Sequence, residues 1–197
     1  QALGMAKAGI SRNRVVAVIG DSTFLHSGIT PLVNAVYNQG QITVIILDNG
    51  TTAMTGHQDH PGTGISAQGK PTQAVKLEDL VRGIGVNSVK VVDAFNIRNL
   101  RAALRESLEK PELSVIIVRG TCSVRVPRRA APRAMDAEKC NQCGTCLLIG
   151  CPAIQSDNGQ VFIDVALCAG SACTICQQIC PRQAIGELTE SEVVKQQ

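Results

Sequence analysis

Hydrophobic runs of strand length alternate with helical patterns through the first 121 residues of this 197-residue chain. Continuous Val/Ile-rich runs predict four buried strands, at 15–19, 42–47, 89–92 and 114–118. The segments around them predict helices at 2–8, 30–38, 77–84 and 97–109. Strands that are apolar on both faces and separated by helices indicate a parallel sheet that is covered on both sides. The predicted fold class is therefore α/β, doubly wound.

The composition changes after residue 121. Residues 122–138 predict a linker with two prolines and four arginines, Arg125, Arg128, Arg129 and Arg133. We interpret it as a solvated tether, with a docking patch for an acidic redox partner as the alternative. Residues 1–121 and 139–197 then form two domains. Aromatic residues are only 2% of the chain, so Val, Ile, Leu and Ala must build the core. The net charge of +3 gives no indication of nucleic-acid or membrane binding.

Eight of the nine cysteines form two runs that each end in Cys-Pro. The runs are Cys140-x2-Cys143-x2-Cys146-x4-Cys151-Pro152 and Cys168-x4-Cys173-x2-Cys176-x3-Cys180-Pro181. Such spacing is typical of two [4Fe–4S] clusters, where three thiolates of a run bind one cluster and the fourth binds the other. It predicts one cluster on Cys140, Cys143, Cys146 and Cys180, and a second on Cys168, Cys173, Cys176 and Cys151. The similar residues after each Cys-Pro indicate an internal repeat, and residues 139–197 are expected to form a small two-cluster, ferredoxin-like α+β domain.

Disulfides and zinc are the alternative uses of these cysteines. Disulfides need an oxidising compartment, and the absence of a signal peptide or spanning segment favours the cytoplasm. Zinc sites use two pairs of ligands rather than a third cysteine spaced two residues on and followed by a Cys-Pro. Both runs contain a longer spacer than usual, which Gly150 and Gly170 would accommodate. The ninth cysteine, Cys122, is expected to be a buried or linker thiol.

Polar residues follow each of the first two predicted strands. Gly20-Asp21-Ser22-Thr23 ends the first strand, and Asp48-Asn49-Gly50-Thr51 ends the second. Parallel sheets bind ligands beyond the carboxyl ends of their strands. Asp21 and Asn49 offer oxygen ligands that suit Mg²⁺, and the neighbouring Gly and hydroxyl residues could cradle a diphosphate at a helix N-terminus. The same residue types are common in turns, so the pattern alone leaves both readings open.

These residues also resemble a known family. Gly20-Asp21-Ser22 followed by Asn49 is similar to the diphosphate-binding motif of thiamine-diphosphate enzymes, with Ser22 in place of the last glycine. Residues 20–28 (GDSTFLHSG) and 48–64 (DNGTTAMTGHQDHPGTG) resemble the 2-oxoacid:ferredoxin oxidoreductases. The resemblance runs over roughly the whole chain and is strongest to the enzymes of indolepyruvate, in which a two-cluster module follows the thiamine domain.

The resemblance implies an enzyme that oxidatively decarboxylates arylpyruvates to acyl-CoA. Its cofactors would be thiamine diphosphate, Mg²⁺ and two [4Fe–4S] clusters, and its partners a β subunit, coenzyme A, the 2-oxoacid and an external ferredoxin. Asp21, Asn49 and the backbone carbonyl of Thr51 would bind Mg²⁺. The diphosphate would contact Gly20, Ser22 and Thr23, and Thr55, Gly56, His57 and Gln58 would lie beside the cofactor. The alternatives are another 2-oxoacid oxidoreductase and a non-catalytic iron–sulfur electron-transfer protein.

Several roles stay open in the sequence. His57 is a candidate catalytic residue or a surface residue, whereas a surface position is preferred for His60. His26 either caps a helix or faces the cofactor. Residues 64–70 resemble a phosphate-binding loop, but Pro71 replaces its Ser or Thr, so no ATP site is expected. We also expect a C-terminal fragment that does not turn over alone, because no segment resembles the pyrimidine-binding domain with its activating Glu.

Overall fold

The computed structural model describes residues 1–11, 15–122, 124–125 and 131–187. The chain divides into two compact units, Gln1–Cys122 and Ser123–Gln197. The helices and strands of the first unit are α1 (Ala2–Lys7), β1 (Val16–Gly20), α2 (Asp21–Thr23), α3 (Ile29–Tyr37), β2 (Thr43–Asp48), α4 (Leu77–Ile84), β3 (Ser88–Asp93), α5 (Ile97–Glu109) and β4 (Ser114–Arg119). None of the helices in the described ranges is long and apolar enough to cross a membrane.

The four strands of the first unit form one parallel sheet in the order β1-β2-β4-β3. In the middle of the sheet, Ser114 of β4 pairs with Thr43 of β2 on one side and Ser88 of β3 on the other. The predicted α/β class and parallel sheet are thus confirmed. Because all four strands run in the same direction, their carboxyl ends lie along one edge of the sheet, at Gly20, Asp48, Asp93 and Arg119.

Helices pack against both faces of this sheet. Successive strand residues point to opposite faces, so β4 contributes to two apolar clusters. One cluster joins β2 and β4 to α3 and α4 through Val44, Ile46, Val115, Ile117, Leu32 and Val81. The other joins β4 to α5 through Ile116, Val118 and Ala103. Aliphatic side chains therefore build most of the core, as the composition requires.

The helix after β1 begins nine residues earlier than the sequence predicts. Helical backbone starts at Asp21 and continues through a π-helical segment, Phe24–Gly28, into α3. The residues around its start, Gly20 to Thr23, have the composition of a turn, which hides the helix start in the sequence. π-helical segments are rare and often lie at functional sites. Asp21 and Ser22 consequently occupy the first turn of a helix that follows directly from a strand.

Gly28 is required where this helix packs on the core. A Cβ at Gly28 would lie 2.7 Å from Cδ2 of Phe24 and 3.0 Å from Cδ1 of Ile19. We expect Gly28→Ala to lower the free energy of unfolding by about 1–3 kcal/mol through overpacking. Gly83→Ala is the matched control, because Gly83 lies in helix α4 and its Cβ would meet no atom within 4 Å. That control should be neutral or stabilising by up to about 1 kcal/mol. Denaturant unfolding followed by circular dichroism measures both, and equal effects would contradict this packing.

The second unit contains two small antiparallel sheets. Strand β5 (Arg133–Met135) pairs with β8 (Ile185–Glu187), and β6 (Ile154–Asp157) pairs with β7 (Gln160–Ile163). One α-helix, α6 (Ile175–Ile179), and two 3₁₀ turns complete its described part. Strand β5 lies within the predicted linker, and its Arg133 is buried rather than solvated. Arg128 and Arg129 lie outside the described residues.

The internal repeat of the sequence is visible in the hydrogen bonds of this unit. The N–H of Asp136 donates to the carbonyl of Ala184 at 2.8 Å, and the N–H of Asp164 donates to that of Ala153 at 2.7 Å. Each aspartate comes four residues before the first cysteine of a run, and each alanine follows a Cys-Pro pair. Each cysteine run therefore lies between two strands. Strands β5 and β6 flank the first run and β7 and β8 flank the second, and each strand pairs with one that flanks the other run.

Candidate functional site

Asp21 is a buried carboxylate at the carboxyl edge of the parallel sheet, with 2% of its surface exposed. Its Oδ1 accepts the N–H of Ser22 at 2.7 Å. Its Oδ2 accepts the N–H of Gly50, from the loop after β2, at 2.9 Å. Because β1 and β2 are neighbours, with Gly20 opposite Leu47, these bonds let one carboxylate join two strand ends.

The loop after β2 brings Asn49 and Thr51 to the same edge. Oδ1 of Asn49 accepts the N–H of Thr51 at 3.0 Å, and the Asn49 carbonyl accepts the N–H of Cys122 at 3.2 Å. The hydroxyl of Thr52 donates to that of Ser22 at 2.8 Å, which links the loop to the first helical turn. The structure thus brings together five of the residues that the sequence singled out: Gly20, Asp21, Ser22, Asn49 and Thr51.

The remaining predicted cofactor residues are exposed. Thr23 follows Ser22 on the outer side of the helix, and Thr55, Gly56 and His57 form the tip of the loop. Gly56 and His57 both have positive φ, 116° and 63°. The Thr55 hydroxyl donates to Oε1 of Gln58 at 2.7 Å, which stiffens the tip. The loop therefore holds a defined shape while leaving its outermost side chains accessible.

The other two histidines have definite partners near this edge. Nδ1 of His26 donates to the carbonyl of Ser22 at 2.7 Å, so this ring of the π-helical segment bonds back to the first helical turn. His60 is buried, contrary to the surface position preferred from the sequence. Its Nε2 lies 3.3 Å from Oδ2 of Asp21, and the two side chains are 2% and 3% exposed. No periodicity marks a buried residue within a loop, so only its contacts reveal His60.

A group of ion pairs holds β2 just before Asn49. From the end of β4, Arg119 donates to Asp48 Oδ2 at 2.6 Å and to Glu78 Oε2 at 2.9 Å. The bond from Arg119 lowers the pKa of Glu78, and the bonds to Glu78 and Asp48 raise the pKa of Arg119. Because the guanidinium is half exposed, these pairs add only about 0–1 kcal/mol of stability each. Their main effect is to fix the strand end that precedes the loop.

In the second unit, one set of four thiols lines a single cavity: Cys140, Cys143, Cys146 and Cys180. Burial raises the pKa of the Cys146 thiol. The hydrogen bond with the Thr145 hydroxyl, at 3.3 Å, lowers the pKa of Cys143. The N–H of Ala184 donates to Sγ of Cys180 at 3.3 Å. This set combines three cysteines of the first run with the last cysteine of the second.

The other four thiols are also neighbours. Burial raises the pKa of Cys176, and the nearby thiols raise it further, namely Cys173, Cys168 and Cys151. Sγ of Cys168 accepts two backbone N–H groups at 3.4 Å, from Arg133 and Gly170. All nine cysteines are free thiols. Within the described ranges, no three Cys, His, Asp or Glu side chains converge on one metal-ion position.

Gly150 and Gly170 lie in the longer spacers of the two runs. Both have positive φ, 67° and 70°. This backbone region favours glycine, because a Cβ would crowd the chain there. The structure therefore accommodates each insertion at the glycine to which the sequence points.

Comparisons with known proteins identify the family of the first unit. Residues 1–118 match the model of the family described as thiamine pyrophosphate enzyme, C-terminal TPP binding domain. Indolepyruvate oxidoreductase subunit IorA of Archaeoglobus fulgidus is 44% identical over 184 residues, which cover 90% of this chain and 29% of the relative. The subunit of that name from Pyrococcus horikoshii is 34% identical over 197 residues, 95% of this chain and 30% of the relative. These relatives confirm the resemblance found in the sequence, and the chain spans less than a third of their length.

A solved structure shares the fold of part of this chain. It is the 2-oxoglutarate:ferredoxin oxidoreductase from Magnetococcus marinus with 2-oxoglutarate, coenzyme A and succinyl-CoA bound. The match has a TM-score of 0.53 and 15% identity, and it covers 61% of this chain and 44% of that one. At this identity the likeness concerns the fold alone. The family match covers more than half of the sequence, and the chain therefore belongs to the thiamine pyrophosphate enzymes, whose C-terminal TPP-binding domain it contains.

Proposed function

We propose that this chain carries the thiamine-diphosphate and iron–sulfur centres of a 2-oxoacid:ferredoxin oxidoreductase. The proposal rests chiefly on Asp21, a buried carboxylate held between two strand ends of a TPP-binding domain, in a chain that also groups eight thiols into two sets. The curated relatives are named indolepyruvate oxidoreductase, which supports an arylpyruvate as the substrate. Coenzyme A, an external ferredoxin and a β subunit would be the partners.

The residues at the sheet edge fit Mg²⁺ and a diphosphate. Asp21, Asn49 and the Thr51 carbonyl would supply carboxylate, amide and peptide oxygens, the ligands that Mg²⁺ prefers. Ser22 and Thr23 lie in the first turn of a helix, where the helix dipole favours an anion, and the N–H of Ser22 itself donates to Asp21. A Cβ at Gly20 would meet none of the described heavy atoms within 4 Å, so there is room beside the backbone.

Thiamine diphosphate supplies an electron sink for decarboxylation of a 2-oxoacid when it is bound. The chain would contribute binding and orientation. The loop tip would lie along the cofactor through Thr55 and Gly56, and the exposed ring of His57 could exchange a proton with the substrate. The carboxylate of Asp21 would fix the metal and, through it, the diphosphate.

The two thiol sets fit [4Fe–4S] clusters. Thiolate sulfurs are the usual ligands of such clusters, and backbone N–H groups that donate to them stabilise the reduced form. Cys180 and Cys168 already accept such N–H groups. The clusters would take up and release electrons singly. Nine free thiols also suit a reducing compartment, which supports a cytoplasmic location.

Arg133 provides a prediction about the second cluster. Its side chain is 4% exposed and pairs with Glu187 at 3.1 Å, and its backbone N–H donates to Cys168. A buried positive charge beside a cluster favours the reduced form, so Arg133→Met should make that cluster's potential more negative. About 1.4 kcal/mol of lost attraction corresponds to about 59 mV in a one-electron potential, and we expect a shift of this order.

The substitution leaves the backbone N–H to Cys168 in place. It removes the charge together with the bonds from the side chain to the Cys173 carbonyl and to Glu187, so it tests the whole guanidinium group. EPR-monitored redox titration of the full-length protein measures both clusters, and the cluster on the other thiol set serves as the internal control. Equal shifts of the two clusters, or none, would contradict a local effect of Arg133.

Turnover by the complete enzyme tests the proposed reaction. We expect the full-length subunit, assembled with its β subunit, to reduce ferredoxin with indolepyruvate or phenylpyruvate in the presence of coenzyme A. Pyruvate should be a poor substrate in the same assay. Preferential oxidation of pyruvate would assign the protein to another 2-oxoacid, and no reduction with any of the three would contradict the proposal.

A further inference from the structure

His60 is the buried residue that the proposed chemistry leaves without a role. It belongs to a polar loop, yet only 5% of its surface is exposed. Its ring is held on one side by Gly62, whose N–H donates to Nδ1 at 3.1 Å. Its carbonyl accepts both the N–H and the hydroxyl of Thr63, at 2.9 and 3.0 Å. The histidine is therefore fixed by its own loop, independently of any ligand.

These bonds determine which ring nitrogen carries the proton. Nδ1 accepts the N–H of Gly62, so it offers a lone pair and the proton of the neutral ring lies on Nε2. Nε2 lies 3.3 Å from Oδ2 of Asp21 but is not aligned for a full hydrogen bond. Among the described residues this buried N–H has no other partner. An unsatisfied buried donor is costly, so a donor that faces a carboxylate at this distance calls for an explanation.

We propose that His60 is a positioning residue that orients the Asp21 carboxylate for Mg²⁺. The inference rests on the proposed function and extends it to a residue outside the ligand set. Ligating carboxylates are commonly held by hydrogen bonds from residues behind them, and loss of such a partner weakens metal binding. Asp21 already accepts N–H groups from Ser22 and Gly50, and the Nε2–H of His60, 3.3 Å from Oδ2, is placed to become a third donor, this time from a side chain.

The chemistry of the ring suits this role. A lysine or arginine at the same place would neutralise the carboxylate and compete with the cation. A neutral imidazole donates one hydrogen bond and leaves the negative charge of Asp21 available to the metal. An Asp21 carboxylate oriented so that Oδ2 aligns with the Nε2–H would complete the hydrogen bond that the present geometry leaves open.

The packing around the His60 ring provides a second variant that tests its role. A Cβ at Gly62 would lie 3.0 Å from Cε1 and 3.2 Å from Nδ1 of His60. Gly62→Ala should therefore push the ring without removing its N–H. We expect it to act in the same direction as loss of His60, but less strongly.

Metal binding to the full-length protein in its complex tests the proposal. Mn²⁺ replaces Mg²⁺ as the probe, and EPR of the free ion gives its dissociation constant in the presence of thiamine diphosphate. We expect His60→Leu to raise that constant by about 10–100-fold. His60→Gln should recover most of the loss, because its amide can place an N–H near the position of Nε2. Val86→Ala, a cavity variant in the buried core, controls for a general loss of stability and should leave the constant unchanged.

The outcomes separate this inference from the proposed function. Wild-type affinity in His60→Leu, while Asp21→Asn loses binding, would overturn the role of His60 alone. If His60→Leu, His60→Gln and Val86→Ala all weakened metal binding equally, His60 would have only a structural role, and the inference would also be overturned. Absence of metal binding in the wild-type protein would overturn the proposed function and this inference together.

Discussion

Replacing Asp21 by asparagine is expected to raise the dissociation constant of Mg²⁺ with thiamine diphosphate by about 100-fold or more. Loss of a residue that holds a metal ligand in place already weakens metal binding. Here the ligand itself changes, so the loss of affinity should be at least as large. Asparagine keeps the size of the side chain but loses its charge. Its NH₂ group would also face either the N–H of Ser22 or that of Gly50, because the two carboxylate oxygens each accept one of these donors. Calorimetry on the full-length complex measures the change.

Asp93→Asn is the matched control for that experiment. Asp93 ends β3 at the same edge of the sheet, and its Oδ1 accepts the N–H of Phe95 at 2.8 Å, a role that asparagine can also fill. It lies on a strand that does not neighbour β1, and its side chain is exposed. Cofactor affinity should be unchanged in this variant. A loss in Asp93→Asn equal to that in Asp21→Asn would contradict a site centred on β1 and β2.

Serine variants of the cysteines are expected to show that each cluster draws on both runs. Two [4Fe–4S] clusters hold about eight irons, so Cys180→Ser should leave about four. Adding Cys140→Ser should remove no more, because both thiols line one cavity. Adding Cys176→Ser to Cys180→Ser instead should remove nearly all iron, because Cys176 lies in the other set. Chemical iron analysis of the anaerobically purified protein distinguishes these results.

The opposite pattern would contradict the crossed arrangement. If each run bound its own cluster, Cys180→Ser with Cys176→Ser would keep about four irons, and Cys180→Ser with Cys140→Ser would lose nearly all. Cys122→Ser is the control, since Cys122 is the last residue of the first unit, where its backbone N–H donates to the Asn49 carbonyl, and it belongs to neither set. It should retain both clusters.

The sequence was sufficient for the elements that long apolar patterns define. Helices α4 and α5 match their predicted ranges residue for residue, and the four strands differ only at their ends. A strand of continuous Val and Ile is recognisable because both its faces are buried. Asp21 and Asn49 could be brought together in advance because parallel strands end at a common edge.

The features that the sequence predicts wrongly depend on contacts between residues that are far apart in the chain. Strand β5 has only three residues and exists because it pairs with β8, about fifty positions later, so the sequence alone predicts a linker at Arg133. The helix that starts at Asp21 begins with turn-forming residues, and no hydrophobic periodicity marks that start. His60 is buried by its neighbours in the fold, within a stretch whose composition is that of a surface loop.

The most direct test of the account is reduction of this chain's own clusters by a substrate. The full-length protein in its complex is mixed anaerobically with indolepyruvate, coenzyme A, thiamine diphosphate and Mg²⁺, without ferredoxin, and the reduced clusters are detected by EPR. We predict that clusters are reduced in the wild-type protein and in Asp93→Asn but stay oxidised in Asp21→Asn. Clusters that stay oxidised in the wild-type protein, or that are reduced equally in Asp21→Asn, would contradict a thiamine site that delivers its electrons to these cysteines.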